Sequence, residues 1–146
     1  MQIEMTIKGL MGDPITNMPI VILRDKDGQR VLPIWVGIFE ANAIALQIEN
    51  IATPRPMTHD LLRNVIHDLH ASVQKIVVCD LQENTFYALI YLTVGGEVMA
   101  VDARPSDAIA LAHALLSYPT WRTALTGPGR RRAPRLIYSA LRSALL

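Results

Sequence analysis

The sequence predicts an α+β fold, and two observations carry that prediction. First, six short apolar segments of strand-like composition occur in two groups of three, and a helical pattern follows each group. Second, the letters ANAIAL at residues 41–46 align with SDAIAL at residues 106–111, with four identical positions, where the helical pattern of each half begins. We therefore predict a duplicated β-β-β-α(α) repeat, over residues 1–71 and 72–116, that forms one mixed sheet or an open barrel flanked by helices.

Three strands are predicted in the first half, from apolar runs bounded by turn residues: residues 3–10, 19–23 and 31–36. Pro33 lies inside the third strand and has no N–H to donate, so that strand is predicted at an edge of the sheet or at a bulge. Two helices follow, over residues 38–50 and 60–70, and Thr58 is predicted to cap the second. Trp35 and Phe39 are expected in the core rather than on the surface as platforms on which bases stack.

The second predicted helix is amphipathic. Its apolar face is expected to pack on the core and consists of Leu61, Leu62, Val65, Ile66 and Leu69. Its polar face is expected in solvent and consists of Asp60, Arg63, His67 and His70.

The second half repeats the order of the first. Strands are predicted over residues 73–81, 86–94 and 97–103, with Gly95–Gly96 as a tight turn between the last two. A helix over residues 105–115 follows. Pro105 suits its first turn, because a proline there loses no hydrogen bond.

Composition bounds the class of protein. The chain has 146 residues, 51% of them hydrophobic and 18% charged, as expected for a folded domain rather than a disordered segment. No secretory signal pattern and no apolar run of about 20 residues is present, so neither secretion nor a membrane span is expected. The single Cys79 cannot form an internal disulfide, and a cytoplasmic location is the simplest expectation.

The charge is unevenly distributed along the chain. All 13 acidic residues lie within residues 1–107, whereas residues 108–146 carry six arginines and no acid. We assign residues 1–116 to the domain and residues 117–146 to a divergent basic tail, in which residues 134–146 have an amphipathic helical pattern. The arginines at residues 130–132 fit contact with a phosphate backbone, and they equally fit a solvated tail.

The stretch DARPSDAIALA, residues 102–112, places two aspartates and an arginine directly before a helical pattern. Ser106 and Asp107 are explained as residues that accept hydrogen bonds from free N–H groups at a helix start. Asp102 and Arg104 are not, since Gly37 and Phe39 occupy the aligned positions of the first half. They form either an exposed local ion pair or part of a reactive site.

Four blocks of the sequence resemble the bifunctional nuclease domain family: GLMGDPITNMPIVILRD, LPIWVGIFEANAIALQIE, TPRPMTHDLL and AVDARPSDAIALA. The resemblance spans roughly residues 3–112. It implies a compact α+β domain built from two repeats, and a nuclease that acts on both RNA and DNA with low specificity.

Phosphodiester hydrolysis commonly uses carboxylates to hold Mg²⁺ or Mn²⁺, and we expect one of these cations here, with Asp102 and Asp107 as ligands. The candidate catalytic residues are Asp102, Asp107, Glu40 and His59. The candidate substrate-binding residues are Arg55, Arg104 and Ser106. Glu40 also fits a plain role as an acid in the first turn of a helix, and His59 fits a helix cap.

A second function class stays open at this point. The same arginines and aspartates suit a non-enzymatic oligomeric module that binds a small anionic ligand or a partner. A homo-oligomer is expected under either interpretation, and nucleic acid is the expected substrate under the first.

Overall fold

The computed structural model describes residues 2–115 and 121–123. The first half forms β1 (Ile3–Gly12), β2 (Pro19–Asp25), β3 (Val31–Trp35), α1 (Ile38–Ile48) and α2 (Thr58–Asp68). The second half forms β4 (Ser72–Gln82), β5 (Thr85–Val94), β6 (Glu97–Ala103), α3 (Pro105–Leu115) and β7 (Trp121–Thr123). The order of the first nine elements is the one predicted, and the bounds of β6 and α3 match the predicted ones.

The strands form two antiparallel three-stranded units, β1–β3 and β4–β6, which confirms the α+β class. The short strand β7, which the sequence analysis did not predict, pairs antiparallel with β1 and parallel with β4. The described strands therefore follow the linear order β3-β2-β1-β7-β4-β5-β6. The open barrel and the duplication itself stay predictions. Pro33 lies in β3 at the end of this order, as its missing N–H predicted.

The three helices pack together beside the sheet, with α3 in contact with both α1 and α2. α3 also packs on β4 and β5, while α1 packs on β1 and β2. The largest fully buried side chains come from both halves: Leu23, Ile34, Ile44, Ile109, Leu111 and Val21. One core thus joins the two halves, and this fixes the start of α1 relative to the start of α3.

The prediction for α2 was wrong in two respects. The helix begins at Thr58, so Met57 precedes it as the cap residue, and the Asp60 carboxylate accepts the Met57 N–H at 3.0 Å. Of the predicted buried face only Ile66 is buried. The other four residues are exposed: Leu61, Leu62, Val65 and Leu69. The physical reason is that the polar side chains His59 and Asp60 turn toward α1, where both contact Gln47.

The two aromatic residues predicted in the core also lie elsewhere. Trp35 is 38% exposed, and its indole N–H donates to the Asp13 carboxylate at 2.9 Å. Phe39 is 88% exposed at the start of α1.

None of the described helices is long and apolar enough to cross a membrane. Except for β7, the predicted basic tail, including the helical pattern of residues 134–146, lies outside the described residues.

Candidate functional site

The first component of the site is the start of α1. Gly37 precedes the helix in an extended conformation, and no side chain among the described residues caps the free N–H groups. Glu40, in the first turn, folds back so that its carboxylate lies directly over the Gly37 α-carbon, where any β-carbon would collide with it. The absence of a side chain at residue 37 therefore allows this position of the Glu40 carboxylate, next to the positive end of the helix dipole.

The second component is the start of α3. Pro105 is the first helical residue, as predicted, and the Arg104 carbonyl accepts the Ala108 N–H at 3.1 Å. The Arg104 side chain binds Asp107 through two hydrogen bonds, from Nε to Oδ2 at 2.7 Å and from Nη2 to Oδ1 at 3.0 Å. The same Nη2 lies 3.0 Å from Oε1 of Glu40. These contacts join the two halves in one group, which we name the carboxylate–arginine cluster: Glu40, Arg104 and Asp107.

The cluster is open to solvent. The side chains of Arg104, Asp107 and Glu40 are 66%, 48% and 23% exposed. Hydrogen bonding to Asp107 and the charges of both carboxylates raise the pKa of the Arg104 guanidinium above its usual value, so it stays charged. Nη1 of Arg104 has no hydrogen-bond partner among the described residues, which leaves N–H groups available to a bound oxyanion.

The structure shows no local ion pair between Asp102 and Arg104, which was one of the two interpretations left open, and the predicted role of Asp107 as an acceptor of backbone N–H groups was wrong. Arg104 pairs with Asp107 and Glu40 rather than with Asp102, and the Asp107 carboxylate binds that guanidinium rather than backbone N–H groups. Asp102 is exposed on β6, opposite Leu89 of β5, and forms no ion pair within the described part of the chain. Burial raises the pKa of the Cys79 thiol, and the negative charges of Asp80 and Asp102 add to the rise, so Asp102 lies within electrostatic range of β4. Ser106 is buried, with 8% of its surface exposed.

The cluster as it stands does not fit a divalent cation. Arg104 engages both oxygens of Asp107, and a guanidinium between two carboxylates would repel a cation placed there. Within residues 2–115 and 121–123, no group of three or more His, Cys, Asp or Glu side chains is arranged to hold a metal ion.

His59 belongs to a separate cavity of about 350 Å³ between the end of α1 and the start of α2. Its imidazole is nine-tenths buried, and its Nε2 lies 2.9 Å from Nε2 of Gln47. The Gln47 amide also donates to Asp60 at 3.3 Å, and Arg63 lies 3.8 Å from the same carboxylate oxygen. The contacts of Gln47 with His59 and Asp60 thus tie the start of α2 to α1.

The cavity and the cluster lie along the same helix but do not merge. Gln47 follows Glu40 by two turns on one face of α1, which separates their α-carbons by about 10 Å. The structure therefore brings together Glu40, Arg104 and Asp107, and it places His59 apart from them. Arg55 is exposed in the loop before α2, and its backbone carbonyl accepts a hydrogen bond from Thr53 at 2.7 Å.

Sequence reasoning missed three residues of this region. Gly37 was read only as the counterpart of Asp102, Gln47 was not considered, and Phe39 was assigned to the core. The sequence did contain a signal for Gly37. A glycine lies directly before the predicted helix and Glu40 follows three residues later, which fits a carboxylate that folds back over the start of the helix. No local signal distinguished the Gln47 amide, because its partners come from another helix.

The fold and the cluster define a class of protein: an α+β domain that presents two carboxylates and an arginine where two packed helices begin. Residues 21–119 match the family model of the bifunctional nuclease domain. The chain belongs to the bifunctional nuclease domain family, which confirms the resemblance found in the sequence.

Similar proteins include both uncharacterized and named members. An uncharacterized protein of Mycobacterium tuberculosis is 44% identical over 110 residues, which cover 75% of this chain and 65% of that protein. Bifunctional nuclease 1 of Oryza sativa subsp. indica is 26% identical over 96 residues, 63% of this chain and 29% of its own length. Bifunctional nuclease 2 of Oryza sativa subsp. japonica is 29% identical over 98 residues, 64% of this chain and 30% of its own length. The chain thus spans 65% of the mycobacterial protein and less than a third of the rice proteins.

Proposed function

We propose that this domain hydrolyses phosphodiester bonds in RNA and DNA at the carboxylate–arginine cluster, with low sequence specificity. The observation that carries the proposal is the contact of Arg104, on an open surface, with Glu40 from the first half and with Asp107 from the second. Membership of the bifunctional nuclease domain family supports phosphodiesters as the substrate class. The names of the rice relatives support it as well.

Arg104 supplies the phosphate contact in this proposal. Its guanidinium is held by two carboxylates, so its free Nη1 is fixed in place before a substrate arrives. A planar donor held in this way suits a phosphate oxygen, and it needs no reorganisation when charge develops in the transition state. The starts of α1 and α3 add partial positive charge beside it, which offsets part of the repulsion between a phosphate and the two carboxylates.

The carboxylates supply the proton acceptor. Glu40 and Asp107 each keep one face toward solvent, where a water molecule or a ribose hydroxyl bound next to Arg104 lies within reach. As the oxygen of that nucleophile bonds to phosphorus, its proton passes to the carboxylate, which is general base catalysis. The bond from phosphorus to the leaving sugar oxygen breaks, and that oxygen takes up a proton from solvent. Where a ribose hydroxyl attacks, water then opens the resulting cyclic phosphate. Asp102, exposed on the strand that leads into the cluster, contributes negative charge nearby.

Phe39 supplies a surface for a base. It is 88% exposed and directly precedes Glu40 in the first turn of α1. An exposed aromatic ring beside a phosphate-binding arginine is typical of single-strand binding, because every base has a face that can stack. Such stacking reads no base edges, which is consistent with low specificity.

His59 and Arg63 serve a neighbouring nucleotide in this proposal. Their cavity lies about 10 Å along α1 from Glu40, which is beyond hydrogen-bond reach of a group bound to Arg104. Arg55, exposed in the loop, keeps a secondary role as a phosphate contact, whereas the burial of Ser106 argues against a direct phosphate contact by its side chain. A requirement for Mg²⁺ or Mn²⁺ stays a proposal, and the roles given above to the side chains do not depend on a metal ion. Full cleavage by highly purified protein in excess EDTA would refute the requirement for a metal ion.

Cleavage of labelled RNA and DNA strands by the purified chain tests the proposal. The double variant Glu40→Gln, Asp107→Asn should lose cleavage of both strands, because it removes both proton acceptors while keeping their size. The matched control is Glu4→Gln, which breaks the ion pair between Glu4 and Lys26, 2.9 Å apart, elsewhere on the surface. Equal activity in the double variant and the control would place catalysis outside the cluster.

Phe39→Ala tests the stacking contact separately. It should weaken binding of single strands, whereas Ile15→Ala, at an 85% exposed apolar residue on a loop, should not. Equal losses in the two variants would show that Phe39 has no specific contact with bases.

The His59 cavity is the observation that favours the second function class, a module that binds a small anion. A buried imidazole and Arg63 in a polar cavity of about 350 Å³ suit a phosphate-sized ligand. If the wild-type chain cleaves neither RNA nor DNA, yet binds inorganic phosphate in a calorimetric titration and Arg63→Ala abolishes that binding, the second class replaces the first.

A further inference from the structure

The cavity between the end of α1 and the start of α2 is lined by two sets of residues with different chemistry. One set is polar, and its side chains lie close to one another: Gln47, His59, Asp60 and Arg63. The other set is apolar and includes residues of the last turn of α1 and of the loop between the helices: Leu46, Ile51, Ala52, Pro56 and Met57. A ligand that fills this cavity of about 350 Å³ therefore needs both apolar faces and a polar edge.

The polar set keeps hydrogen-bonding capacity for a ligand. The Asp60 carboxylate accepts the Met57 N–H at 3.0 Å and the Gln47 amide at 3.3 Å, whereas a carboxylate can accept about four hydrogen bonds. Nδ1 of His59 has no hydrogen-bond partner among the described residues. Because the Asp60 side chain is only 14% exposed, a hydrogen bond to it is shielded from water and gains strength. The cavity thus offers a donor group on a ligand a shielded negative acceptor.

We propose that the cavity binds a nucleobase that carries an exocyclic amino group, which means adenine, cytosine or guanine rather than uracil or thymine. The amino group donates to the Asp60 carboxylate, whereas uracil and thymine present a carbonyl oxygen that a carboxylate repels. Arg63, with Nη1 3.8 Å from Oδ1 of Asp60, supplies donors for the acceptor nitrogen next to the amino group. The faces of the ring cover the apolar set of lining residues.

A base uses the whole lining of the cavity, whereas a free phosphate uses only its polar set. That set contains one carboxylate and one guanidinium, from Asp60 and Arg63. A balanced pair of charges suits an uncharged edge that both donates and accepts better than it suits an anion. The observations therefore favour a base as the occupant, and phosphate binding becomes an outcome of the test.

The source of the base rests on the proposed function. The cavity lies about 10 Å along α1 from Glu40, so a strand bound at Arg104 can place a neighbouring base in it. Stacking on Phe39 reads no base edges, and the cavity adds a preference at one neighbouring position to an otherwise low specificity. The base of a free nucleotide offers the same chemistry, so the experiments include both sources.

An NMR titration of the full chain with cytidine 5′-monophosphate and with uridine 5′-monophosphate tests the base preference. The two nucleotides share ribose and phosphate, and neither contains a phosphodiester bond that the chain could cleave. The cytidine nucleotide should bind about tenfold more tightly, because a hydrogen bond to a charged group typically contributes at least this factor. Its analogue with hydrogen in place of the amino group should bind more weakly, which tests the same contact without a protein variant.

The chemical shifts also locate the site. Those that differ between the two nucleotides should belong to residues 50–60, around the cavity. Equal affinity for both nucleotides, shift changes confined to the starts of α1 and α3, or inorganic phosphate that binds at the cavity as tightly as the cytidine nucleotide would each overturn the proposal.

Asp60→Asn tests the acceptor itself. Asparagine keeps an oxygen for the Met57 N–H but has no charge, so the preference for cytidine over uridine should disappear. Asp68→Asn is the matched control on the same helix, because Asp68 is 81% exposed and lies 3.2 Å from His67, outside the cavity lining. An unchanged preference in Asp60→Asn, or its loss in both variants, would contradict the role of Asp60.

Short strands distinguish a bound strand from a free nucleotide as the source of the base. In the double variant Glu40→Gln, Asp107→Asn, in which cleavage should be lost, a deoxycytidine strand should bind more tightly than a deoxyuridine strand. A preference among mononucleotides that is absent among strands would refute a strand as the source. Cleavage by the wild type without any base preference would refute the base site and leave the nuclease. A base preference in a wild-type chain that cleaves neither RNA nor DNA would refute the nuclease and leave the base site.

Discussion

Replacing Arg104 with alanine should separate activity from stability. Arg104 is 66% exposed, and its contacts with Asp107 and Glu40 are ion pairs open to solvent. Such pairs are worth about 0–1 kcal/mol each, so the free energy of unfolding should fall by no more than about 2 kcal/mol. At about 4 °C per kcal/mol for a domain of this size, Tm should fall by less than roughly 8 °C.

The expected loss of activity is much larger. Removal of one preorganised donor to a developing negative charge typically lowers kcat by about 10²–10³. Arg104→Lys should recover little of that loss, because an ammonium cannot span both Asp107 oxygens and a phosphate in one plane. We therefore expect two folded variants with strongly reduced cleavage.

The assay combines thermal melts with cleavage of labelled single strands on the same preparations. Lys26→Ala is the matched control: Lys26 is 63% exposed and, among the described residues, forms one ion pair, with Glu4, so its loss should alter neither Tm nor kcat appreciably. A folded Arg104→Ala protein with wild-type kcat/KM would refute the role of Arg104. A fall in Tm well beyond roughly 8 °C would instead refute the value of about 0–1 kcal/mol for each of these exposed ion pairs.

Three further predictions concern Asp102, Arg104 and Asp13. Asp102→Asn should leave folding intact and reduce cleavage, and wild-type turnover would remove Asp102 from the site. Arg104→Ala should bind Mn²⁺ more tightly than the wild type, because both Asp107 oxygens become free; equal affinity by calorimetry would contradict this. The N–H of Trp35 and two backbone N–H groups lower the pKa of Asp13 from 3.8 to about 2. The ionised Asp13 carboxylate therefore stabilises the fold above about pH 4, and this contribution is lost as the pH falls toward 2. Between these pH values the free energy of unfolding, measured in urea, should fall less for Asp13→Asn than for the wild type.

Local patterns were sufficient to predict most elements. Alternation, turn residues and Pro105 predicted the strands and helices to within a few residues, because these signals act between neighbours in the chain. Pro33 also predicted that its strand lies at an edge of the sheet, because a residue without an N–H cannot donate a hydrogen bond to a neighbouring strand. The sequence analysis missed β7 because a strand of three residues is too short to show an alternation of apolar and polar side chains.

The sequence also identified the residue types at the start of α3 but assigned their contacts wrongly. Arg104 had two acids within three residues, and proximity along the chain could not choose between them. Arg104 binds Asp107 and also Glu40, which belongs to the other half and meets Arg104 only because α1 packs against α3. Local spacing therefore formed the pair of Arg104 with Asp107, and long-range packing added Glu40 to the carboxylate–arginine cluster.

The exposed faces were decided by tertiary structure for a related reason. An amphipathic pattern says which side of a helix is apolar, but not which surface of the protein covers it. α2 turns Ile66 and His59 inward because the Gln47 amide on α1 bonds to His59 and Asp60, and the leucines of α2 consequently face solvent. Sequence by itself thus determined the elements and the chemistry available, whereas the packing of α1, α2 and α3 decided which of those side chains meet and which remain exposed.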